Sequence, residues 1–194
     1  PQQPDITEFL CQKVKPLMPY LRHICVLGIA EPFWKDAAFK ILERLDFVQF
    51  KNQCEFRTNT NGICLNEKTI TKFFSLVEMS DVSWSLDAAT PMTHRKIRRL
   101  DTFDLVVGNL KKWIKMRGAN TRHKVSIYNN INMLNVQEMS MMVQLAYDVG
   151  VDQIILLPTH DQTGIVQLGE LLMNEKNIKI FKEESEKAKE LADD

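Results

Sequence analysis

Polar side chains follow each of five short apolar segments of the chain, and their types suit a ligand site. These polar turns lie at residues 28–32, 58–62, 84–91, 128–132 and 157–161. Helix caps normally use Asp or Ser rather than Glu followed by Pro, so we interpret Glu31 before Pro32 as an acceptor for a cationic ligand group. Asn61 and Asp87 suit ordinary turns equally well. Taken together, the five turns predict one polar, ligand-binding rim.

The spacing of the apolar segments explains how these turns meet. The segments begin at residues 24, 54, 82, 124 and 153, at intervals of 30, 28, 42 and 29. Stretches with helical periodicity separate them, at 37–45, 67–76, 103–116 and 136–149. Strands that alternate with helices at this interval are typical of βαβ units. The sequence therefore predicts an α/β fold of parallel strands, as a barrel or a doubly wound sheet, whose strand ends carry the turns.

Two regions depart from this period. The longest interval includes an extra loop at 87–101, directly after the third strand, where added residues indicate function. The tail at 158–194 is predicted to hold a weakly amphipathic helix at 165–173 and a charged, solvated helix at 178–192. We expect one domain over 1–194. Because the chain lacks an initiator Met and ends in a charged run, we also expect truncation at both ends.

Composition narrows the class of protein. The 25 basic and 25 acidic side chains give a net charge of zero, which argues against bulk binding to nucleic acid or anionic membrane. No apolar run is long enough to span a bilayer and no signal pattern begins the chain, so we expect a cytoplasmic protein. The four cysteines are too widely spaced for a C-x2-C or C-x3-C metal clip: Cys11, Cys25, Cys54 and Cys64.

Four of these segments resemble motifs of the radical S-adenosylmethionine (SAM) enzymes. Residues 27–33, L-G-I-A-E-P-F, resemble the G-x-G-E-P turn, and residues 60–65 resemble the T-N-G-x-x-L turn. Residues 83–91 with 96–99 are similar to the S-x-D-G/A-x-T-P…K-I-R stretch, and 135–152 resemble N-x-x-E…L-A…G-V-D. The resemblance covers residues 5–157 and is closest to the SPASM-containing subgroup, whose members often modify peptides.

The resemblance implies a partial (β/α)6 TIM-like barrel, with about five parallel strands and flanking helices, that binds SAM at its strand ends. It assigns the amino group of the cofactor to the turn with Gly28, Ala30, Glu31 and Pro32. It assigns the carboxylate to Ser85 and Arg98, with Asp87 in the same stretch, and the sulfonium side to Thr60 and Asn61. The ribose is assigned to Asn129 and Asn130, and the adenine to Leu156 and Leu157.

Two departures qualify this resemblance. Ala30 replaces the second glycine of the first turn, and its methyl group crowds a ligand that approaches the backbone closely. The C-x3-C-x2-C loop that binds a 4Fe-4S cluster in the family does not occur in the chain. We therefore expect the cluster only in an intact parent enzyme, which would cleave SAM reductively to a 5′-deoxyadenosyl radical for hydrogen abstraction. The isolated chain is expected to be inactive.

Other functions stay open at this point. The first alternative is a non-catalytic binding or scaffold domain that keeps the barrel. A TIM-barrel lyase or aldolase would need a lysine or paired carboxylates on the rim, and the five turns hold no lysine. His160 with Asp161 suits an acid–base or metal pair, or simply an exposed loop. The sequence does not identify the substrate, although a peptide is one candidate.

Overall fold

One parallel sheet organises the chain. The computed structural model describes residues 6–27, 30–159 and 175–193. Its five strands are β1 (His23–Val26), β2 (Glu55–Thr60), β3 (Ser80–Ser85), β4 (His123–Ile131) and β5 (Gln153–Pro158). They lie side by side in sequence order, and every neighbouring pair is parallel. The predicted α/β fold is confirmed, and a sheet that does not close within the described residues is consistent with a partial TIM-like barrel.

Seven α-helices accompany the sheet in the described part of the chain. They are α1 (Ile6–Val14), α2 (Ala37–Arg44), α3 (Glu67–Leu76), α4 (Pro91–Arg98), α5 (Phe103–Arg117), α6 (Met139–Val149) and α7 (Glu175–Asp193). The four predicted crossover helices are confirmed, and α7 confirms the charged helix of the tail. The extra loop at 87–101 contains α4, whereas the helix predicted at 165–173 lies outside the described residues. None of the helices described is long and apolar enough to cross a bilayer.

The two faces of the sheet differ sharply in character. Because side chains alternate along a strand, every second residue points to the same face. One face, the helix face, carries the buried side chains Phe56, Val82, Trp84, Val125 and Ile127. These pack on aromatic rings from α3 and α5, with ring centroids 5.5 Å apart for Phe56 and Phe73 and 6.2 Å for Trp84 and Trp113. The hydrophobic core therefore lies between the sheet and the helices.

The opposite face, the polar face, carries small polar side chains toward the ends of the strands. Asn59, Ser83 and Ser126 are register partners across β2, β3 and β4, and the two serine hydroxyl oxygens are 2.9 Å apart. Ser85 pairs in the same way with Tyr128. The interiors of TIM barrels are normally filled by Val, Ile and Leu. Near the strand ends, the polar face therefore departs from this apolar filling.

The turn after β2 presses its backbone against the core. Gly62 has φ of +75°, and a Cβ atom there would lie 2.3 Å from Cζ3 of Trp84. Asn109 of α5 also donates to the carbonyl of Gly62 at 2.9 Å. Glycine is required here because both the positive φ and the contact with the indole ring exclude a side chain.

We predict that Gly62→Ala lowers the free energy of unfolding by about 2 kcal/mol or more, through left-handed strain and overpacking against Trp84. Gly108→Ala is the matched control, because an added Cβ within α5 meets no atom within 4 Å. That change should raise the free energy of unfolding by about 0.5–1 kcal/mol. Urea unfolding of both variants tests the pair, and equal effects would contradict the role assigned to Gly62.

Candidate functional site

The carboxylate of Glu31 joins the turns that follow β1 and β2. Its Oε1 accepts from the hydroxyl of Thr60 at 2.6 Å, and its Oε2 accepts from the backbone N–H of Asn61 at 2.8 Å. The N–H of Phe33 contacts Oε1 at 3.4 Å. A carboxylate offers about four acceptor positions. Glu31 therefore connects the turns after β1 and β2 through hydrogen bonds. Its carboxylate can still accept a hydrogen bond from about one further donor.

Local hydrogen bonds make the turn after β2 rigid. The Thr60 hydroxyl accepts from the N–H of Gly62 and the Asn61 side chain accepts from the N–H of Ile63, each at 3.0 Å. These are the side-chain-to-backbone bonds expected of Thr and Asn in turns. In the turn after β1, Ala30 is exposed and Pro32 is buried, while Gly28 lies outside the described residues.

A second ionic group lies where β3 ends. Oδ2 of Asp87 is 2.5 Å from an Nη atom of Arg98, and the Asp87 side chain is only 7% exposed. Oδ1 of Asp87 accepts from the N–H of Asn130 at 2.9 Å. Arg98 also donates to the carbonyl of Ser85 at 3.4 Å, while its Nε is buried without a hydrogen-bond partner among the described residues. The extra helix α4 thus delivers a guanidinium group to the rim.

The residues near the ends of β4 and β5 separate onto the two faces of the sheet. Asn129 is fully buried on the helix face, where its amide donates to the carbonyl of Leu86 at 3.0 Å. Its register partner is Leu156. Asn130 is exposed on the polar face beside Leu157, which is 41% exposed. Asn130 and Leu157 therefore lie together at the rim on the polar face, whereas Asn129 lies on the opposite, helix face.

Two residues of the turn after β4, Asn135 and Glu138, hold the rim together, although the sequence assigned them no role. The Glu138 carboxylate accepts three hydrogen bonds from residues that follow β3. The Asn135 amide donates to the backbone carbonyls of Asp87 at 2.7 Å and Asn130 at 2.8 Å. The N-x-x-E motif contains both residues, and that motif was the one signal that pointed to them.

The four cysteine thiols differ in exposure and in their surroundings. No group of three or more His, Cys, Asp or Glu side chains is placed to hold a metal ion within the described ranges. Cys11 and Cys54 are buried, Cys25 is exposed and Cys64 is half-buried. Burial raises the pKa of the Cys54 thiol, and burial with the nearby Glu31 raises the pKa of Cys64. Both effects disfavour the thiolate that binds iron.

A buried histidine lies next to the Asp87–Arg98 pair. His94 is 3% exposed, and its Nε2 is 3.1 Å from the hydroxyl of Thr102. Burial lowers the pKa of His94, the Arg98 charge lowers it further, and Asp87 and Asp101 oppose these effects. The folded protein therefore holds this imidazole neutral where an exposed histidine would begin to protonate.

We predict that acid destabilises the fold in part through His94. The unfolded chain binds this proton at the ordinary pKa of 6.5, and the folded chain binds it only at lower pH. The free energy of unfolding should therefore fall as the pH drops below about 6.5 toward the folded pKa. In His94→Gln this fall should be smaller, as measured by urea unfolding across the range. Identical pH dependence in the two proteins would contradict the prediction.

Comparison with known proteins identifies the fold. No protein-family model matches the chain, and no curated protein matches its sequence. Solved structures do match the chain in shape, and three of them are compared with it. TYW1 with a bound lysine–pyruvate adduct gives a TM-score of 0.55 at 15% identity, over 93% of this chain and 59% of that one. The enzyme anSMEcpe with bound AdoMet and Kp18Cys peptide gives 0.65 at 14% identity, over 92% of this chain and 49% of that one.

The third match is a domain of the pyruvate-formate lyase-activating enzyme from Bacteroides vulgatus. It has a TM-score of 0.54 at 14% identity, over 84% of this chain and 94% of that domain. The chain thus spans 59% and 49% of the first two structures. All three are radical SAM enzymes, and at these identities the likeness concerns the fold. The chain has the fold of the radical SAM enzymes.

Proposed function

We propose that the chain is the SAM-binding core of a radical SAM iron–sulfur enzyme. The observation that carries this proposal is the pair of ionic groups on the rim, with Glu31 after β1 and Arg98 beside the end of β3. The amino-acid portion of SAM has an ammonium group and a carboxylate. It therefore needs an anion and a cation at separate positions, and the rim supplies both.

The ammonium group of SAM suits the carboxylate of Glu31. This carboxylate accepts two short bonds and one long bond from the protein, which leaves about one acceptor position for an N–H donor. Because both oxygens of Glu31 accept hydrogen bonds from the protein, Glu31→Gln would place an NH2 group where one of these acceptors lies, facing either Asn61 or Thr60 and Phe33. A loss of SAM binding in Glu31→Gln would therefore have two causes that the experiment cannot separate. One is the lost contact with the ligand, and the other is the lost hydrogen bond between the two turns.

The carboxylate of SAM suits a site formed by Arg98 and Ser85. Asp87 and the Ser85 carbonyl contact the same Nη atom of Arg98, and the side chain is 32% exposed, so the other Nη atom has no partner among the described contacts and can meet a ligand. A planar guanidinium can bind two carboxylates along different edges. Asn130 and Leu157 offer an amide for the ribose hydroxyls and an apolar surface for the adenine, on the same face as Ser85. Roles for Gly28, Ala30, Pro32, Thr60, Asn61 and Asn129 remain predictions from the motifs.

The 4Fe-4S cluster does not fit the described residues of this chain. Its cysteines are dispersed, two of them are buried, and no cluster of ligands forms among the residues described. Reductive cleavage of SAM to a 5′-deoxyadenosyl radical is the chemistry that such a cluster supplies in the radical SAM family. What this chain contributes is binding and orientation of the cofactor. The peptide bound to anSMEcpe supports a peptide as one candidate substrate.

The same observation about the cysteines favours a second candidate, a radical-SAM-like binding or scaffold domain without catalysis. Reconstitution of the intact parent protein, rather than of this chain alone, with iron and sulfide separates the two. Visible absorbance of an iron–sulfur cluster together with 5′-deoxyadenosine formation under reduction supports the enzyme. SAM binding in a colourless and inert protein supports the binding domain.

We predict that the chain binds SAM and that Arg98→Ala weakens this binding about tenfold or more, since charge-assisted hydrogen bonds to the carboxylate are lost. Arg95→Ala is the control, because Arg95 is exposed on the same helix. Isothermal titration of the three proteins with SAM tests the prediction. Failure of the unaltered chain to bind SAM, or equal losses in the two variants, would contradict the proposal.

A further inference from the structure

We propose that Glu138 is a positioning residue for the carboxylate subsite, acting on Arg98 through helix α4; this inference rests on the proposed function. Glu138 ends the short 3-10 turn Val136–Glu138 that follows β4. Arg98 is the last residue of α4. The two side chains make no hydrogen bond with each other in the described structure, so the influence has to pass through the helix.

Within the described residues, the Glu138 carboxylate accepts hydrogen bonds from the segment that begins α4 and from no other segment. Its Oε2 accepts from the N–H of Ala89 at 2.8 Å. Its Oε1 accepts from the hydroxyls of Thr90 at 2.8 Å and Thr93 at 2.5 Å. Thr90 is also the N-cap of α4, where its hydroxyl oxygen accepts from the N–H of Thr93 at 3.3 Å. One half-buried carboxylate thus holds the loop, the cap and the first turn of the helix.

Physical reasons make this contact decisive for α4. The helix has eight residues, and helices this short are marginal without tertiary contacts. A carboxylate at the N-terminus of a helix is also stabilised by the backbone dipoles. Arg98 lies about two turns along the same rigid helix. A change in tilt at the Glu138 end would therefore displace the guanidinium group.

The partner of Arg98 is held from the same turn. Asn135 donates to the backbone carbonyl of Asp87 at 2.7 Å, and Asp87 forms the ion pair with Arg98. Glu138 and Asn135 thus fix the two sides of the pair, one through α4 and the other through the Asp87 backbone. The turn after β4 thereby sets the geometry of a subsite built from residues that follow β3.

The test compares SAM with decarboxylated SAM, which keeps the ammonium, sulfonium, ribose and adenine but lacks the carboxylate. Isothermal titration should show that Glu138→Ala weakens SAM binding about five- to tenfold and leaves the decarboxylated ligand within about twofold of the unaltered protein. Arg98→Ala should show the same selectivity. The double variant should lose no more than Arg98→Ala alone, because both changes remove the same interaction.

Two further variants keep the test sharp. Thr93→Val removes one of the three donors to Glu138 while keeping the side-chain shape, so it should give a smaller loss with the same selectivity for SAM. Thr93→Val replaces Glu138→Ala in the test if Glu138→Ala does not fold. Glu78→Ala removes a glutamate that pairs with Lys51 at 2.8 Å elsewhere in the fold, and it should leave both affinities unchanged.

The outcomes separate the inference from the function on which it rests. If the unaltered protein does not bind SAM, the proposed function fails. If it binds SAM but Glu138→Ala and Thr93→Val weaken both ligands equally, Glu138 is only a structural residue and the inference is overturned. If both variants bind SAM as tightly as the unaltered protein, the inference is likewise overturned.

Discussion

The rim of the sheet depends most on the buried carboxylate of Asp87. Removing this charge from water is costly unless hydrogen bonds replace its hydration. The replacements come from Arg98 at 2.5 Å and from the N–H of Asn130 at 2.9 Å. These donors belong to α4 and β4, so satisfying one carboxylate fixes the end of β3 against both elements. The extra helix after β3 is then needed by the fold as well as by the site.

The same device recurs at three places along the rim. Near the strand ends, some backbone N–H groups make no hydrogen bond to a neighbouring strand. Such an N–H group needs another acceptor when it is shielded from water. Glu31 accepts from Asn61, Asp87 accepts from Asn130, and Glu138 accepts from Ala89. Each carboxylate therefore joins segments that are distant in the sequence. Such ties can hold the shape of a rim around a sheet that is not closed within the described residues.

The sequence predicted what depends on periodicity and missed what depends on distant partners. The five strands and the crossover helices follow from apolar alternation and a regular interval. Helix α4 was missed because its eight residues are mostly polar, and it is held by contacts that no local pattern reveals. Strand β4 extends to Ile131 through two asparagines that resemble turn residues, and the side-chain nitrogen of Asn129 donates to the Leu86 carbonyl in the core. The donors to Glu138 lie 45 to 49 residues away from it in the chain.

Charge on the rim favours a cationic ligand even though the whole chain is neutral. Three carboxylates lie along the rim, on Glu31, Asp87 and Glu138, and of these only Asp87 is paired with the guanidinium group of Arg98 among the described contacts. Positive charges elsewhere on the surface balance this negative charge in the net charge of the chain. Their effect on the rim is small, because salt screens charges over about 10 Å. SAM carries two positive groups and one negative group. A site with excess negative charge and one well-placed cation matches that distribution, and it disfavours ligands whose charge is wholly negative.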